Sequence, residues 1–123
     1  VLRETKAGAL PGKSLVVYDP ELELATDVFP CEDGHAQERS LLEQVLPRVD
    51  PRDIWIQDRN FCVRSFLLGI DDRGGYFVCR EHRGLAREGL GSQRYIGETD
   101  TGKVYEQWIE IVDDEGKTPT LSR

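Results

Sequence analysis

Asp58 closes a short apolar run, Asp53-Ile54-Trp55-Ile56-Gln57-Asp58, and stands directly before Arg59, Asn60 and a helix-periodic stretch that begins at Phe61. A carboxylate where a strand gives way to a helix is held by rigid elements yet reaches solvent. Ligands of open α/β sheets bind beyond the carboxyl ends of strands. The chemistry available there is that of a hard-cation ligand. Mg2+ takes one or two protein carboxylates and completes its shell with phosphate oxygens and water. The same residue type also caps helices, accepting from an unpaired backbone N–H for about 1 kcal/mol, and spacing alone leaves the cap slightly ahead.

Arg59 and Arg80 are the cations most closely associated with that position. Arg80 ends the run Tyr76-Phe77-Val78-Cys79-Arg80, expected beside the Asp58 strand with both tips pointing one way. A guanidinium there can bind phosphate bidentately; the alternative is a surface ion pair with Glu81 or Asp58, worth little. His35 and His82 lie in Glu32-Asp33-Gly34-His35 and Arg80-Glu81-His82-Arg83. Neither has a His or Cys four residues away, so no zinc pattern forms. His35 reads as a first-turn helix residue and His82 as a loop residue near basic neighbours. Asp71-Asp72 and Asp113-Asp114 sit beside glycines and read as turns. No phosphate-binding glycine loop and no nucleophile elbow occurs.

These residues need elements to position them. Residues 13–18 form a β-branched run between Pro11-Gly12 and Asp19-Pro20, and residues 24–29 a second strand ending at Pro30; together they predict a hairpin. From Asp33, a candidate N-cap, the period changes. Leu41, Leu42, Val45 and Leu46 share one helical face, and Pro47 ends it. Residues 53–58 predict a strand, 61–70 a helix with Cys62, Phe66, Leu67 and Ile70 on one stripe, and 76–80 a strand. Residues 83–93 read as a glycine-containing loop. Residues 94–98 and 103–112 read as strands about an Asp100-Thr101-Gly102 turn, with Trp108 in a packing role. The order is β-β-α-β-α-β followed by an antiparallel meander.

Composition sets the limits. The 123 residues suit one domain or part of one, and 16 Lys+Arg against 23 Asp+Glu give a net charge of −7, which disfavours a purely electrostatic DNA binder. No apolar run approaches the roughly 18–20 residues of a membrane span. Cys31, Cys62 and Cys79 make an odd number with no C-x-x-C spacing. They read as reduced thiols of a cytosolic protein, Cys62 and Cys79 as small core residues. The absence of methionine, the opening at Val1 and a strand pattern that starts near the end suggest a fragment.

Taken in order, Leu10-Pro11-Gly12-Lys13-Ser14-Leu15-Val16-Val17-Tyr18-Asp19-Pro20, Glu32-Asp33-Gly34-His35 with Glu38-Arg39-Ser40, Trp55-Ile56-Gln57-Asp58-Arg59-Asn60-Phe61 and Tyr76-Phe77-Val78-Cys79-Arg80-Glu81-His82 resemble the catalytic domain of bacterial insertion-sequence DDE transposases. The similar members are those with a Y-R-E-K signature. The resemblance covers about residues 10–112. It implies an incomplete ribonuclease-H-like α/β fold, with residues 1–12 as a connecting segment, 13–82 as partial catalytic core and 83–123 as the start of a β-strand insertion.

The resemblance further implies that Asp58 is the second of three metal-binding acids, serving two Mg2+ or Mn2+ ions that promote DNA cleavage and strand transfer. It implies DNA contacts from Arg59, Arg80 and His82, transposon-end DNA as partner, a homodimer in the complete enzyme, and a cytoplasmic, nucleoid-associated location. The family's first acid lies on a strand upstream of Pro11-Gly12, and its third lies in a Tyr-x-x-Arg-x-x-x-Glu-x-x-x-x-x-x-Lys helix; neither occurs in this sequence. One acid of three is expected to leave the chain inactive alone. The strands holding Val17 and Trp55 are expected to expose ladder groups that a neighbour covers. The competing readings are an acidic, non-catalytic α/β interaction module, and a small metal-dependent hydrolase using Asp58 with Asp33, His35 or His82.

Overall fold

The computed structural model describes residues 12–31, 37–112 and 120–122. It is a mixed α/β molecule, and among the described residues the strands fall into three small sheets rather than one. β1 (Lys13–Asp19) and β2 (Leu24–Cys31) form the expected antiparallel hairpin, with a bulge between Val17 and Tyr18. Its turn is closed by the Asp19 carboxylate, whose Oδ1 accepts from the Glu21 and Leu22 amides at 2.8 and 3.0 Å.

The expected continuous helix is a correction. Residues Glu38–Leu41 are a 3-10 turn, α1 spans only Leu42–Val45, and Leu46–Arg48 is 3-10 again. Two residues cause this. Ser40 sends both its amide and its hydroxyl to the Gln37 carbonyl, at 3.0 and 2.8 Å, competing with the α-helical ladder. Pro47 lacks the N–H that a longer α-helix needs. The apolar face holds all the same: Leu41, Leu42 and Val45 are buried. The proposed caps and ligands at Asp33 and His35 lie outside the described residues.

β3 (Ile54–Gln57) and β4 (Tyr76–Cys79) pair in parallel, Ile54 opposite Tyr76 and Gln57 opposite Cys79. The crossover between them carries a 3-10 turn, Arg59–Phe61, and α2 (Arg64–Asp72). Asp71 and Asp72 are the last turn of that helix, not a free turn. The stop comes after them: Gly74, at φ +74°, donates to Asp71 O at 2.8 Å, and Gly75 donates to Ile70 O at 3.0 Å. That pair of bonds is the left-handed glycine termination that satisfies the last helical carbonyls.

The core lies between the helices and one face of the strands. Leu42, Val45, Val49, Phe66 and Ile70 are buried together, with Leu15, Val17, Phe29, Trp55 and Phe77 packed on them. A smaller cluster joins Cys62, Leu67 and Ile111, with Cys79 against it, so Cys62 and Cys79 have the core role expected of them. The opposite face of β3 and β4 is bare: Ile54 and Ile56 are 67% and 80% exposed, and Tyr76 and Val78 are also exposed.

A second correction concerns residues 83–93. They are not all loop, because β5 starts at Arg87 and runs to Thr99, paired antiparallel with β6 (Gly102–Ile111). Gly91, at φ +72°, sits in an irregularity between Leu90 and Arg94, and its carbonyl accepts from Gln107 Nε2 at 2.8 Å. The glycines therefore mark a bulge inside a strand. β7 (Thr120–Ser122) extends the same sheet beside β6. The Asp113-Asp114 turn lies outside the described residues.

Candidate functional site

The parallel pair fixes the geometry around Asp58. Because Gln57 and Cys79 are in register, Asp58 and Arg80 are the next residues on each strand and leave the pair at the same end. Burial alternates along both strands, and Asp58 and Arg80 both fall on exposed positions of the same parity. The sequence-derived pairing of these two tips is realised at the level of backbone register.

Asp58 also performs the capping role. It is extended at φ −76°, ψ 163°, and its Oδ1 accepts from the Arg59 amide at 2.7 Å, heading the 3-10 turn. The second carboxylate oxygen and the exposed setting leave it able to take a further partner. The turn behind it is anchored from three sides. Phe61 N donates to Asp58 O at 2.9 Å, Gln57 Nε2 to Phe61 O at 3.3 Å, and Arg39 Nε to Asn60 O at 2.6 Å. Asn60 Nδ2 in turn reaches Glu38 Oε2 at 3.3 Å. Arg39 and Glu38 thus hold the Asp58 turn against the first helical segment. Their positioning role is invisible in the sequence, because a contact across 21 residues leaves no periodic trace.

The remaining candidates are less concentrated. Arg59 and Arg80 are exposed. Glu81, considered as a partner for Arg80, instead binds Arg87 Nε at 2.7 Å, which pushes the Arg87 guanidinium further up. Arg94 is bound to Glu106 across the β5–β6 ladder. Arg87 and Arg94 are therefore each neutralised by a neighbouring glutamate. His82 is half-buried, and its Nδ1 accepts from the Gly84 amide at 3.0 Å. That bond closes a turn and leaves Nε2 as the free ring nitrogen.

The thiols near this end are quiet. Burial and the contact with Cys62 push the Cys79 thiol up to about 11. A thiol so protonated is a poor nucleophile and a poor metal ligand at neutral pH.

Among the described residues, no group of three or more His, Cys, Asp or Glu comes together to hold a metal ion. Asp58 supplies one carboxylate, already engaged through one oxygen. A two-ion site built on three acids does not fit the described residues. The hydrolase alternative meets the same limit: Asp33 and His35 lie outside the described residues, and His82 spends one nitrogen on its own turn.

Asp58 does border a feature the sequence did not reveal. An open groove of about 920 Å3 runs between β1 and β3, floored by Leu42, Val45 and Phe66. Among the described residues no helix is long and apolar enough to cross a membrane. Comparison with protein-family models, curated proteins and solved structures finds no match for the chain.

Proposed function

We propose that the chain is part of the catalytic domain of a DDE-type DNA strand-transfer enzyme, with an incomplete ribonuclease-H-like core. In this reading Asp58 is one metal-binding acid of a larger set, and Arg59, Arg80 and His82 lie along the DNA backbone. The observation that carries it is the in-register parallel pair, which delivers Asp58 and Arg80 to one end of β3 and β4. The element order, a hairpin followed by helix, strand, helix and strand, supports it too. Because one carboxylate does not make a two-ion site, this chain's part is to bind and orient. Arg59 and Arg80 neutralise phosphate, and the Asp58 turn, pinned by Arg39 and Gln57, presents a carboxylate of fixed direction. DNA strand transfer, homodimer formation and a cytoplasmic site of action belong to the complete enzyme of this proposal.

The test is a backbone-amide NMR titration of the full chain. Short duplex DNA at low salt should shift Arg59, Arg80 and His82 first, and two phosphate contacts should give a salt slope of about −2. Mn2+ alone should broaden the Arg59 amide, an effect lost in Asp58→Asn. DNA shifts centred on β5 and β6, or Mn2+ broadening that survives Asp58→Asn, overturn the reading.

A second reading, a non-catalytic interaction module, is favoured by one feature, the bare apolar face carrying Ile54, Ile56, Tyr76 and Val78.

A further inference from the structure

Two of the three thiols meet in the fold. Cys62 and Cys79 are 17 residues apart in the chain, yet Cys79 packs on the small cluster that buries Cys62, and the two side chains are hydrogen-bonded. Cys31 ends the other sheet, opposite Lys13. The paired thiols differ in access. Cys62 is 6% exposed and Cys79 is half-buried, so a small oxidant from solvent meets Cys79 first. Beside them lies the Gln57 amide, which also bonds Cys79. Its Oε1 is buried with no hydrogen-bond partner among the described residues, an acceptor that costs free energy until a donor reaches it. From this packing we propose that Cys62 and Cys79 are a modification site, at which a hydroperoxide joins the two sulfurs as an intramolecular disulfide.

The reaction balances in two stages. The Cys79 sulfur attacks the peroxide and the O–O bond breaks. One oxygen stays as S–OH, and the other leaves as water with the thiol proton. The Cys62 sulfur then attacks the Cys79 sulfur and the S–O bond breaks. That oxygen leaves as a second water with the Cys62 proton. Two thiols lose two electrons and the peroxide gains them. In the interval the S–OH hydroxyl is a donor, and Gln57 Oε1 is the acceptor beside it.

The surroundings make the first stage slow and the second fast. Burial and Cys62 hold the Cys79 thiol up at about 11, with the Glu81 carboxylate adding to the effect, so little thiolate attacks at neutral pH. Once S–OH forms, its partner sulfur is already in contact, an advantage over any thiol in solution. The bridge therefore forms under sustained peroxide and leaves no long-lived intermediate.

Its position gives it an effect. Cys62 closes the Asp58 turn by donating its amide to Arg59 O at 3.0 Å. Cys79 is the last residue of β4, in register with Gln57. A bond between them straps the turn behind Asp58 to the strand tip that carries Arg80. This stands on the packing of the two sulfurs and is independent of the strand-transfer reading.

The experiment treats the full chain with hydrogen peroxide near pH 8, folded and in urea, followed by intact mass and unreduced tryptic mapping. The folded chain should lose about 2 Da and yield one linked pair, residues 60–64 with residues 74–80; a reductant should reverse both. The rate should rise about tenfold per pH unit below the thiol's titration. In the bridged chain the Phe61 and Cys62 amides should exchange at least about tenfold more slowly. Dimedone, which traps S–OH, should label residues 74–80 at least about tenfold more in Cys62→Ala than in the unaltered chain. Oxidation of Cys79 to sulfinic acid, a gain of about 32 Da, while Cys62 stays free overturns the inference. So does a bridge to the Cys31 peptide, residues 14–39, or linkage no more selective in the folded chain than in urea.

Discussion

The helix-backed strands and the β5–β6 ribbon are built from similar residues but held by different forces. β3 and β4 bury Trp55 and Phe77 against α1 and α2. β5 has every residue but Gly97 exposed along its length, and β6 becomes buried only at Ile111. In the first region apolar contact orients the strands, and the ladder follows. In the second the ladder is nearly all there is, helped by an edge-to-face Tyr95–Tyr105 pair at 5.6 Å. Beyond the three residues that β7 pairs with, Ile109 to Ile111, the ribbon is two-stranded, and two-stranded ribbons alone are marginal in water. The ribbon's order should therefore depend on its attachment to the body, while the body should tolerate damage to the ribbon.

The largest effect should come from Ile70→Ala. Ile70 is 0% exposed in the main cluster, and removing such a side chain costs about 2–5 kcal/mol. Denaturant unfolding should shift accordingly, and the ribbon should lose order with the body; a ribbon that kept its hydrogen-exchange protection would contradict its dependence. Next is Gly75→Ala. A Cβ there meets Val49 Cγ1 at 2.9 Å and Ile70 Cγ2 at 3.0 Å, so overpacking of about 1–3 kcal/mol is expected, read by thermal melting.

Tyr105→Ala should cost about 0.5–1.5 kcal/mol in the ribbon, with faster exchange at Arg94 to Thr99 and an unchanged body. The smallest mutational effect should be Arg94→Ala, with no measurable change in the melt, because an exposed ion pair is screened by solvent.

A pH experiment sharpens the same contrast. The Cys79 thiol is held up at about 11 by burial and Cys62, above its unfolded value, so the unfolded chain loses that proton first. The resulting stabilisation is complete below about pH 9 and is lost as pH rises through about 11. Maleimide labelling of Cys79 near pH 8 should accordingly be far slower in the folded chain than in urea. Equal rates would contradict the burial of that thiol.

What the sequence disclosed follows the same division. β1, β2, β3 and β4 are legible because each carries its own periodicity and its own stops; α2 is legible in its apolar stripe, while its end reads at Ile70, two residues short of Asp72 where the helix stops before Gly74-Gly75. The first helical segment was only half legible. Its apolar face was visible at Leu41, Leu42 and Val45, but the competition at Ser40 depends on where one hydroxyl turns. The first half of β5 reads as loop in the sequence because Gly89 and Gly91 look like loop until β6 lies beside them. At the site, Asp58 and Arg80 could be found from their places after apolar runs. The pinning by Arg39 and the groove could not, since both arise from elements that meet only in three dimensions.

The way β6 ends has a mechanical consequence. Ile111 sits in the small cluster with Leu67 of α2, and Arg64 Nη1 reaches Val112 O at 3.4 Å. The ribbon is thereby a lever arm whose fulcrum is the helix that follows the Asp58 turn. Thirteen strand residues reach up to about 40 Å, so a pivot of about 5° at that fulcrum swings the far tip by about 3.5 Å. A load applied near Thr101 is in turn delivered, as torque, to α2.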